Sequence, residues 1–500
     1  MSGVRRALMF TAAERFVVLS VNFGSLAVVA RLLPPEEIGY AVVGAATLAV
    51  AESLRDFGAS GFIVQQVRLD REQARTAATT MLILSVAISL ALWLGAGTIA
   101  SFFHKEHFQS YIHVTALTFL AGPFSGPLMA LLRRDMRFGA LAVINVLSST
   151  GTALTTLVLA ASGWSFMSFA WGNAVGASSA AALALLLCHE HWILRPCLRG
   201  WRETLSFGLY TSGASVAERA LDALPSLILG RVMSLDEVAY FNRAAMVCTL
   251  PNKCILPGLL PVVFPAMAAH VRDGRSLEPT FLRGLSLITV LQWPAFLLLA
   301  LLAEPAVRII LGPQWSATVP LVRIMAVASM ASSPNVLFYP AIVAIGAYRK
   351  ALWSALIILP IGASATIAAS RLGIVAVAYG FAVIVAAQST VSILFLQTRL
   401  ALGWRLLGQA VGKSALVTIS SLVLPILNLA LAGPQDTITI PIAALVVAEA
   451  GIGWAGGLIV TRHPLLEEIG HVIDALGLRR GGPGTWSRIG RLRRPSTSRG

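Results

Sequence analysis

Charged residues are scarce in this sequence, and acidic ones most of all. Of its 500 residues, 38 are Lys or Arg and only 23 are Asp or Glu, so 12% are charged, about half the roughly 25% of soluble domains. The chain is 56% hydrophobic, with a mean hydropathy of +0.77. Because so few charges cannot cover a water-facing surface of this size, the composition excludes a disordered chain and a soluble enzyme. It predicts a protein whose solvent is lipid.

Cysteine motifs and a cleavage signal are missing as well. The four cysteines form no CxxC pair and have no His-rich neighbourhood, which excludes a zinc motif and a disulfide framework and predicts inert thiols. The apolar run at 16–29 follows Arg5 and Arg6, but no small-residue cleavage site follows it. We therefore interpret this run as a retained first span and not as a signal peptide.

The sequence is rich in apolar runs, each close to the roughly 20 residues with which a helix crosses a bilayer. The runs are continuous and lack the alternation typical of outer-membrane barrel strands. They predict an all-α integral membrane protein with about 14 transmembrane helices. The predicted spans are 8–30, 38–63, 78–103, 111–132, 139–161, 165–187, 205–230, 240–268, 284–303, 317–345, 351–370, 373–396, 411–432 and 438–460.

The loops between these spans alternate in charge. Of the 38 Lys and Arg residues, 27 lie in the N-terminus, in every second loop and in the tail from 461. The remaining loops carry five basic residues, namely Arg31, Lys105, Arg231, Arg308 and Arg371. Because basic loops stay in the cytoplasm, this pattern predicts an even number of spans with both termini cytoplasmic. The net charge of +15 then follows from topology and indicates no nucleic-acid partner.

An internal repeat divides the chain. Residues 30–40, ARLLPPEEIGY, align with residues 230–240, GRVMSLDEVAY. This offset covers six spans, so both copies have the same orientation, as in transporters built from parallel repeats. The repeat predicts an N-terminal lobe at 1–190, a C-terminal lobe at 200–400 and two appended helices at 411–460. Two lobes around a cleft favour a carrier that exposes the cleft alternately to each side, and we expect Arg31 and Arg231 to anchor the equivalent turns.

Several short strings in this order resemble one family. They are VARLLPPEEIG at 29–39, DFGASG at 56–61, LRRDMRF at 132–138, GWS at 163–165, WG at 171–172 and GPQW at 312–315. Together they span most of residues 1–400. The chain resembles the bacterial oligosaccharide and polysaccharide flippases of the multidrug/oligosaccharidyl-lipid/polysaccharide exporter superfamily, whose fold is like that of multidrug and toxic-compound exporters.

The resemblance implies a carrier of the inner membrane that moves polyprenyl-pyrophosphate-linked oligosaccharide repeat units across the bilayer. The product would be O-antigen, capsule or exopolysaccharide, with polymerase or export machinery as possible partners. It implies no enzymatic reaction and no cofactor, with coupling to H⁺, Na⁺ or the membrane potential left open. Two relatives in the superfamily remain alternatives: an ion-coupled exporter of cationic drugs and a flippase of the peptidoglycan lipid precursor.

Charged side chains inside a membrane are costly and indicate function by default. Most of those in this chain lie in spans 1, 2, 7 and 8, which are counterparts in the repeat. The basic candidates for binding an anionic substrate are Arg15, Arg55, Arg219, Lys253 and Arg323. The acidic candidates, for coupling or for salt bridges, are Glu14, Glu52, Asp56, Glu218 and Asp222. Pro251, Pro257 and Pro261 predict a gate or a static kink in span 8.

Three of the intramembrane cations have no acidic neighbour in sequence: Lys253, Arg243 and Arg323. They outnumber the lone acid Glu449, which favours an anionic ligand over a cationic drug. Lys253 and Arg323 are the strongest anion-site candidates, because a planar guanidinium or an ammonium suits phosphate. We interpret Arg243, close to the end of its span, as a side chain that snorkels to the headgroups, and Glu449 as structural.

The other charged candidates can also be explained by a structural function instead of substrate binding. Arg55 and Arg219 each have an acid within one helical turn, so a local salt bridge is an open interpretation for both. Glu14 and Arg15 lie about two turns from the cytoplasmic boundary, where snorkelling is as good an explanation as a place in the cleft.

The tail at 461–500 combines two features. Apolar residues at helical spacing from 465 to 476 predict an amphipathic helix, and six arginines between 479 and 494 follow it. Such a segment suits the anionic lipids of the cytoplasmic leaflet. The alternative is a solvated tail that only enforces orientation.

Overall fold

The described part of the chain consists of helices and contains no strand. The computed structural model describes residues 2–56, 59–65, 69–105, 107–199, 201–347, 349–400, 402–431 and 439–475. The side chains at 2–10, 12, 56, 65, 202–215, 261–262, 349 and 471–475 lie outside that description. The predicted all-α class is therefore confirmed.

The helices follow the predicted order. Up to residue 190 they are α1 Ser2–Leu32, α2 Pro35–Asp56, α3 Ala59–Gln65, α4 Arg71–Phe103, α5 Phe108–Thr118, α6 Gly122–Arg134, α7 Phe138–Ala161 and α8 Met167–Leu187. From residue 200 to 400 they are α9 Trp201–Val232, α10 Leu235–Cys248, α11 Leu250–Arg272, α12 Glu278–Leu301, α13 Ala303–Ile310, α14 Thr318–Ser329, α15 Ser333–Ala344, α16 Arg349–Ser370 and α17 Ile374–Gln397. The last three are α18 Trp404–Leu431, α19 Ile440–Thr461 and α20 Leu465–Ala475.

The number of membrane crossings agrees with the prediction. Among the described residues, 11 helices are long and apolar enough to cross a membrane, and two bent pairs, α5 with α6 and Leu235–Leu260 with Val263–Arg272, raise the number to as many as 13. The predicted seventh span coincides with α9, which is 32 residues long. Helix α9 carries three charged residues within two turns, Glu218, Arg219 and Asp222, and its length and position agree with a further span. The chain is a multi-pass membrane protein.

Lipid contact explains the apolar surface. Large side chains in the middle of helices remain exposed, among them Leu94 at 75%, Ile419 at 62% and Val158 at 62%. A monomeric soluble protein rarely exposes so much apolar surface. The buried side chains form clusters inside the bundle, the largest of which joins helices from before residue 190 and after residue 200.

The repeat has a structural counterpart. Helices α1 and α9 end at Leu32 and Val232, and α2 and α10 begin at Pro35 and Leu235, each pair 200 positions apart. In the second copy Ser234 and Glu237 form a reciprocal capping box that starts α10, because each satisfies a free amide at the helix start. The division into two lobes stays a prediction, but the equivalent turns have the same local structure.

Three spans are irregular. In the fourth span α5 and α6 are inclined by 42° across residues 119–121. In the tenth span a 3₁₀ turn, Met330–Ser332, lies between α14 and α15. In the eighth span the parts Leu235–Leu260 and Val263–Arg272 are also inclined by 42°. Broken membrane helices are tolerated where they are buried in protein or line a cavity.

The two appended helices pack at one side of the bundle. Helix α18 lies along α12, and α19 packs on α18. The following α20 is held by Arg283, which bridges Glu467 at 3.3 Å and Glu468 at 2.8 Å. The predicted amphipathic helix therefore forms, whereas the polybasic residues after 475 lie outside the described part of the chain.

Candidate substrate cleft

The two copies of the repeated turn meet at one end of the bundle, here called the outer end because its Arg-poor loops are predicted to face the periplasm. Arg31 donates a hydrogen bond of 2.6 Å to the carbonyl of Ile309. Its counterpart Arg231 lies 5.6 Å from the ring centre of Phe102. Each arginine thus contacts the half of the chain to which it does not belong, so both do more than anchor their own turns.

Further contacts tie the halves together at the same end. The side chains of Gln314 and Trp315 both donate to the carbonyl of Ala30, at 2.6 and 2.8 Å. A Cβ on Gly39 would overlap the carbonyl oxygen of Leu235, so only glycine permits this approach of α2 to α10. We call this set of contacts the outer seal.

A cavity of about 330 Å³ lies among α2, α9 and α10. Its apolar wall comes from α2, between Ile38 and Ala49, and from Phe169 of α8. Its polar wall consists of Arg219, Asp222, Ser226, Asn242 and Arg243. The cavity carries two cationic side chains against one carboxylate. Because α2 belongs to the first half and α9 and α10 to the second, the cavity lies between the halves.

Arg243 is the buried cation of this cavity. Its exposed fraction is 5%, its guanidinium lies 5.9 Å from the ring centre of Trp315, and its Nε has no hydrogen-bond partner in the described structure. The interpretation that Arg243 snorkels is therefore wrong. The capping box starts α10 at Leu235 and not near 240, which places Arg243 two turns inside the helix.

Lys253 faces the opposite half of the chain. Its ammonium lies 5.0 Å from the ring centre of Phe23 on α1, and the side chain is otherwise exposed and in no ion pair with described residues. A cation over an aromatic face gains about 0.5–1 kcal/mol at exposed sites. Lys253 of the second half thus contacts α1 of the first half, and its assignment to an anion site stays a prediction.

The helix that carries Lys253 is held by a buried polar network. Gln292 is fully buried, donates to Asn252 at 2.6 Å and accepts from Ser333 at 2.9 Å. Pro251 lies in the first turn of α11, directly before Asn252. Pro257 lies inside α11 and Pro261 at the 42° bend, where its side chain is not described. Their function as a gate stays a prediction.

The candidates of span 2 lie apart from the cavity lining. Arg55 is half-buried, with its guanidinium 5.4 Å from the ring centre of Phe119 and its Nε without a hydrogen-bond partner among the described residues. It packs against Gly122 at the break between α5 and α6. Glu52 is exposed, and the side chain of Asp56 lies outside the described residues. No ion pair joins Arg55 to a described acid.

Glu14 and Arg15 point in different directions from α1. Glu14 is half-buried and accepts a hydrogen bond of 2.6 Å from the Asn145 side chain on α7, so it joins two helices of the same half. Arg15 is exposed. The pairing with Asn145 gives Glu14 a structural explanation that sequence spacing does not show.

The remaining candidates divide between the cavity and other surfaces. Arg219 and Asp222 line the cavity, while Glu218 is exposed beside them. Arg323 is exposed on the face of α14 that also carries Val327, 49% exposed. No described contact joins Arg323 to Lys253. Glu449 accepts from Asn428 at 2.6 Å between α18 and α19.

Sequence reasoning missed the residues that act through distant contacts. Asn242 and Ser226 in the cavity and Phe23 beside Lys253 are uncharged and belong to no motif, and the GPQW string gives no sign that Trp315 lies near Arg243. The signal that pointed to Arg243 was its lack of an acidic neighbour. Among the described residues, no group of three or more His, Cys, Asp or Glu side chains could hold a metal ion.

Comparison with known proteins decides the family. The model of the family described as "Polysaccharide biosynthesis protein" matches residues 28–320, more than half of the chain. The chain belongs to this family. The resemblance found in the short strings is therefore confirmed.

Curated relatives agree with this assignment. The lipopolysaccharide biosynthesis protein WzxC of Escherichia coli K12 is 23% identical over 65% of this chain and 66% of its own length. The succinoglycan biosynthesis transport protein ExoT of Rhizobium meliloti is 23% identical over 71% of this chain and 72% of its own length. The chain thus matches slightly less than two thirds of WzxC.

Solved structures show the same fold. The lipid II flippase MurJ in an inward closed conformation has a TM-score of 0.74, with 12% identity over 91% of this chain and 99% of its own. An inward-facing multidrug resistance MATE family transporter has a TM-score of 0.63, with 15% identity over 77% and 98%. The expected exporter-like fold is confirmed. These neighbours are named as a flippase and a transporter.

Proposed function

We propose that the protein is a flippase that moves a polyprenyl-pyrophosphate-linked oligosaccharide across the bacterial inner membrane by alternating access. Its family and the printed names of its relatives support polysaccharide biosynthesis as the pathway. The observation that carries the proposal is the position of Lys253, an exposed cation that forms no ion pair with described residues and lies 5.0 Å from the ring centre of Phe23 on the other half. A pyrophosphate needs such a cation, whereas its isoprenoid tail can stay in lipid.

The arrangement of contacts supports alternating access. The outer seal joins the halves at one end, and we expect the substrate to enter the space between the halves from the opposite end. With the predicted topology, that end faces the cytoplasm, where the substrate would enter. Separation of the outer seal would then expose the cleft to the periplasm.

The charge of the space between the halves favours an anionic cargo over a cationic drug. A cleft for drug cations should be acidic and aromatic, but the cavity has two arginines for one aspartate. The next cation along the cleft, Lys253, adds to this excess. Coupling to H⁺, Na⁺ or the membrane potential, binding of the tail to anionic lipid, contact with polymerase or export machinery, and the candidate acids Glu52, Glu218 and Asp222 remain proposals.

Replacement of Lys253 tests this function. In a strain that lacks the gene, Lys253→Gln should abolish polymer export at normal protein abundance, because the amide keeps the size but cannot attract pyrophosphate. Lys253→Arg should retain part of the activity, because the charge survives in a different geometry. Export is measured as surface polysaccharide.

Lys105→Gln in an outer loop is the matched control and should export as well as wild type. Full export by Lys253→Gln would contradict an anion site at this position. Efflux of ethidium by the wild-type protein without polymer export would instead favour the drug exporter.

A further inference from the structure

Gln292 lies in the middle of α12 and is fully buried. Burial of an amide is costly unless its polar atoms find hydrogen-bond partners. In Gln292 the Nε2 donates to the side-chain oxygen of Asn252 at 2.6 Å, and Oε1 accepts from the hydroxyl of Ser333 at 2.9 Å. Gln292 therefore joins α12 to α11 on one side and to α15 on the other.

The Ser333 side of this bridge lies directly after the 3₁₀ turn in the tenth span. Trp293 of α12 donates from Nε1 to the carbonyl of Met330 at 3.0 Å, and Ser389 of α17 donates to the carbonyl of Ala331. Carbonyls at the end of a helix lack helical partners and need others inside a membrane. Because α12 and α17 supply these partners, the turn is fixed to both helices, and Ser333 links its position to the buried amide.

The Asn252 side of the bridge sets the direction in which the next residue points. An α-helix has 3.6 residues per turn, so consecutive side chains point about 100° apart. With Asn252 held against α12, Lys253 points away from α12, and its ammonium lies 5.0 Å from the ring centre of Phe23 on α1. Pro251 removes one backbone donor from this first turn of α11, which increases the share of the Asn252 side chain in its anchoring.

We propose that Gln292 is a positioning residue for Lys253, which acts through Asn252 and sets the direction of the ammonium towards α1. The contact with Ser333 makes the same amide sensitive to the arrangement of the tenth span, so a shift of α15 relative to α12 reaches Lys253 through two hydrogen bonds. The assignment rests on the proposed function only for what Lys253 binds, because the positioning itself concerns α11 and α12.

Cross-linking between α1 and α11 measures the positioning independently of transport. Phe23→Cys and Lys253→Cys are combined in a background in which the four native cysteines are replaced. The purified full-length protein in lipid nanodiscs then reacts with a short bismaleimide. The rate of cross-linking reports how often α11 presents position 253 to position 23.

Gln292→Leu in this background should lower the rate about twofold to tenfold, because the net contribution of one hydrogen bond corresponds to such a change in population. Asn252→Leu should lower it similarly, and the double variant should lower it no further, because both changes remove the same contact. Thr289→Val is the matched control. It removes a buried hydrogen bond of 2.9 Å to Ser414, one turn away on the same helix, and should react as wild type.

Transport separates positioning from a purely structural function. In proteoliposomes, with Phe23 and Lys253 restored, Gln292→Leu should raise the KM for lipid-linked oligosaccharide more than it lowers the maximal rate, because the binding cation is displaced but still present. Thr289→Val should leave the KM unchanged. The same KM in Gln292→Leu as in the wild type would contradict the assignment.

The cross-linking results decide the assignment in the following way. The wild-type rate in both Gln292→Leu and Asn252→Leu would overturn it, and Asn252→Leu decides alone if Gln292→Leu does not fold. An equal loss of rate in Thr289→Val would also overturn it, because the effect would then come from loosened packing of α12. The proposed function fails separately, if Lys253→Gln exports polymer normally, and the cross-linking rate still shows whether Gln292 positions α11.

Discussion

At the residue scale, Lys253 and Arg243 carry the same charge in different environments, one exposed and the other buried. Lys253 is exposed to the space between the halves and contacts one aromatic ring, so water or a substrate can reach its ammonium. Arg243 is 5% exposed, lies 5.9 Å from the ring centre of Trp315 and lines the cavity among α2, α9 and α10.

Substitution of Gly39 tests whether the outer seal controls closure of the outer end. Gly39→Val places a Cβ where the Leu235 carbonyl lies, and overpacking of this kind costs typically 1–3 kcal/mol. Since 1.4 kcal/mol is a factor of ten, the closed conformation should become about ten- to hundredfold less populated relative to the open one. Export should fall, and a cysteine at Ala46 should react faster with an impermeant maleimide added from outside.

Gly24→Val is the control, because nothing lies within 4 Å of the Cβ position there. Unchanged labelling in Gly39→Val would show that the contact between α2 and α10 does not limit closure. The experiment needs a background in which the four native cysteines are replaced.

The charges of single residues were predictable, but their partners were not. Hydropathy identifies Glu14 as an acid within a span, yet its bond to Asn145 joins positions 131 apart. The same holds for Arg243 and Trp315. Such contacts depend on how helices pack, which a single sequence does not specify.

At the scale of elements, the C-terminal helix α20 is fixed by a buried histidine. His463 is 1% exposed, accepts from the Leu465 amide at Nδ1 (3.2 Å) and contacts the hydroxyls of Ser286 and Ser414 at Nε2, at 3.0 and 3.2 Å. Since Nδ1 accepts, Nε2 carries the proton and donates. The ring links α12, α18 and the start of α20.

Protonation of this ring should loosen α20. Burial, together with the positive charge of Lys413, lowers the pKa of His463 from 6.5 to about 4. Because the folded protein binds this proton more weakly than the unfolded chain, the contribution to stability is full above about pH 6.5 and declines as the pH falls towards about 4. Arg283, Glu467 and Glu468 also face this region.

Hydrogen exchange of the α20 amides, normalised to intrinsic rates, measures the effect. Exchange should be faster at pH 5 than at pH 7.5 in the wild type, and His463→Gln should lose most of this difference. His107→Gln, in an outer loop, should retain it. An equal pH effect in His463→Gln would assign it to the neighbouring carboxylates.

Helix boundaries were the weakest part of the sequence prediction at this scale. The start of the eighth span was expected near 240, but the capping box of Ser234 and Glu237 starts α10 at Leu235. Hydropathy detects the apolar core of a span and misses polar first turns. Hydropathy also did not show the bend at 119–121 or the 3₁₀ turn at 330–332, because neither requires a change in apolar content.

At the scale of the whole molecule, the repeat and the loop charges predicted more than any single motif did. The repeat offset of 200 positions makes Arg31 and Arg231 equivalent, and the loop charges predict that both lie at the same end of the bundle. In the structure each of these turns contacts the opposite half of the chain at that end. The contacts that close the outer end follow from the meeting of these two turns. Orientation in the membrane rests on loop charge and remains a prediction.

Translocation by the purified protein tests the central claim most directly. Proteoliposomes are loaded with a polyprenyl-pyrophosphate-linked oligosaccharide, and a glycan-cleaving enzyme is added outside, where it reaches the outer leaflet only. With wild-type protein the cleaved fraction should exceed that of protein-free vesicles, and with Lys253→Gln it should not. Wild-type vesicles that behave like protein-free ones, or Lys253→Gln vesicles that match the wild type, would contradict the account.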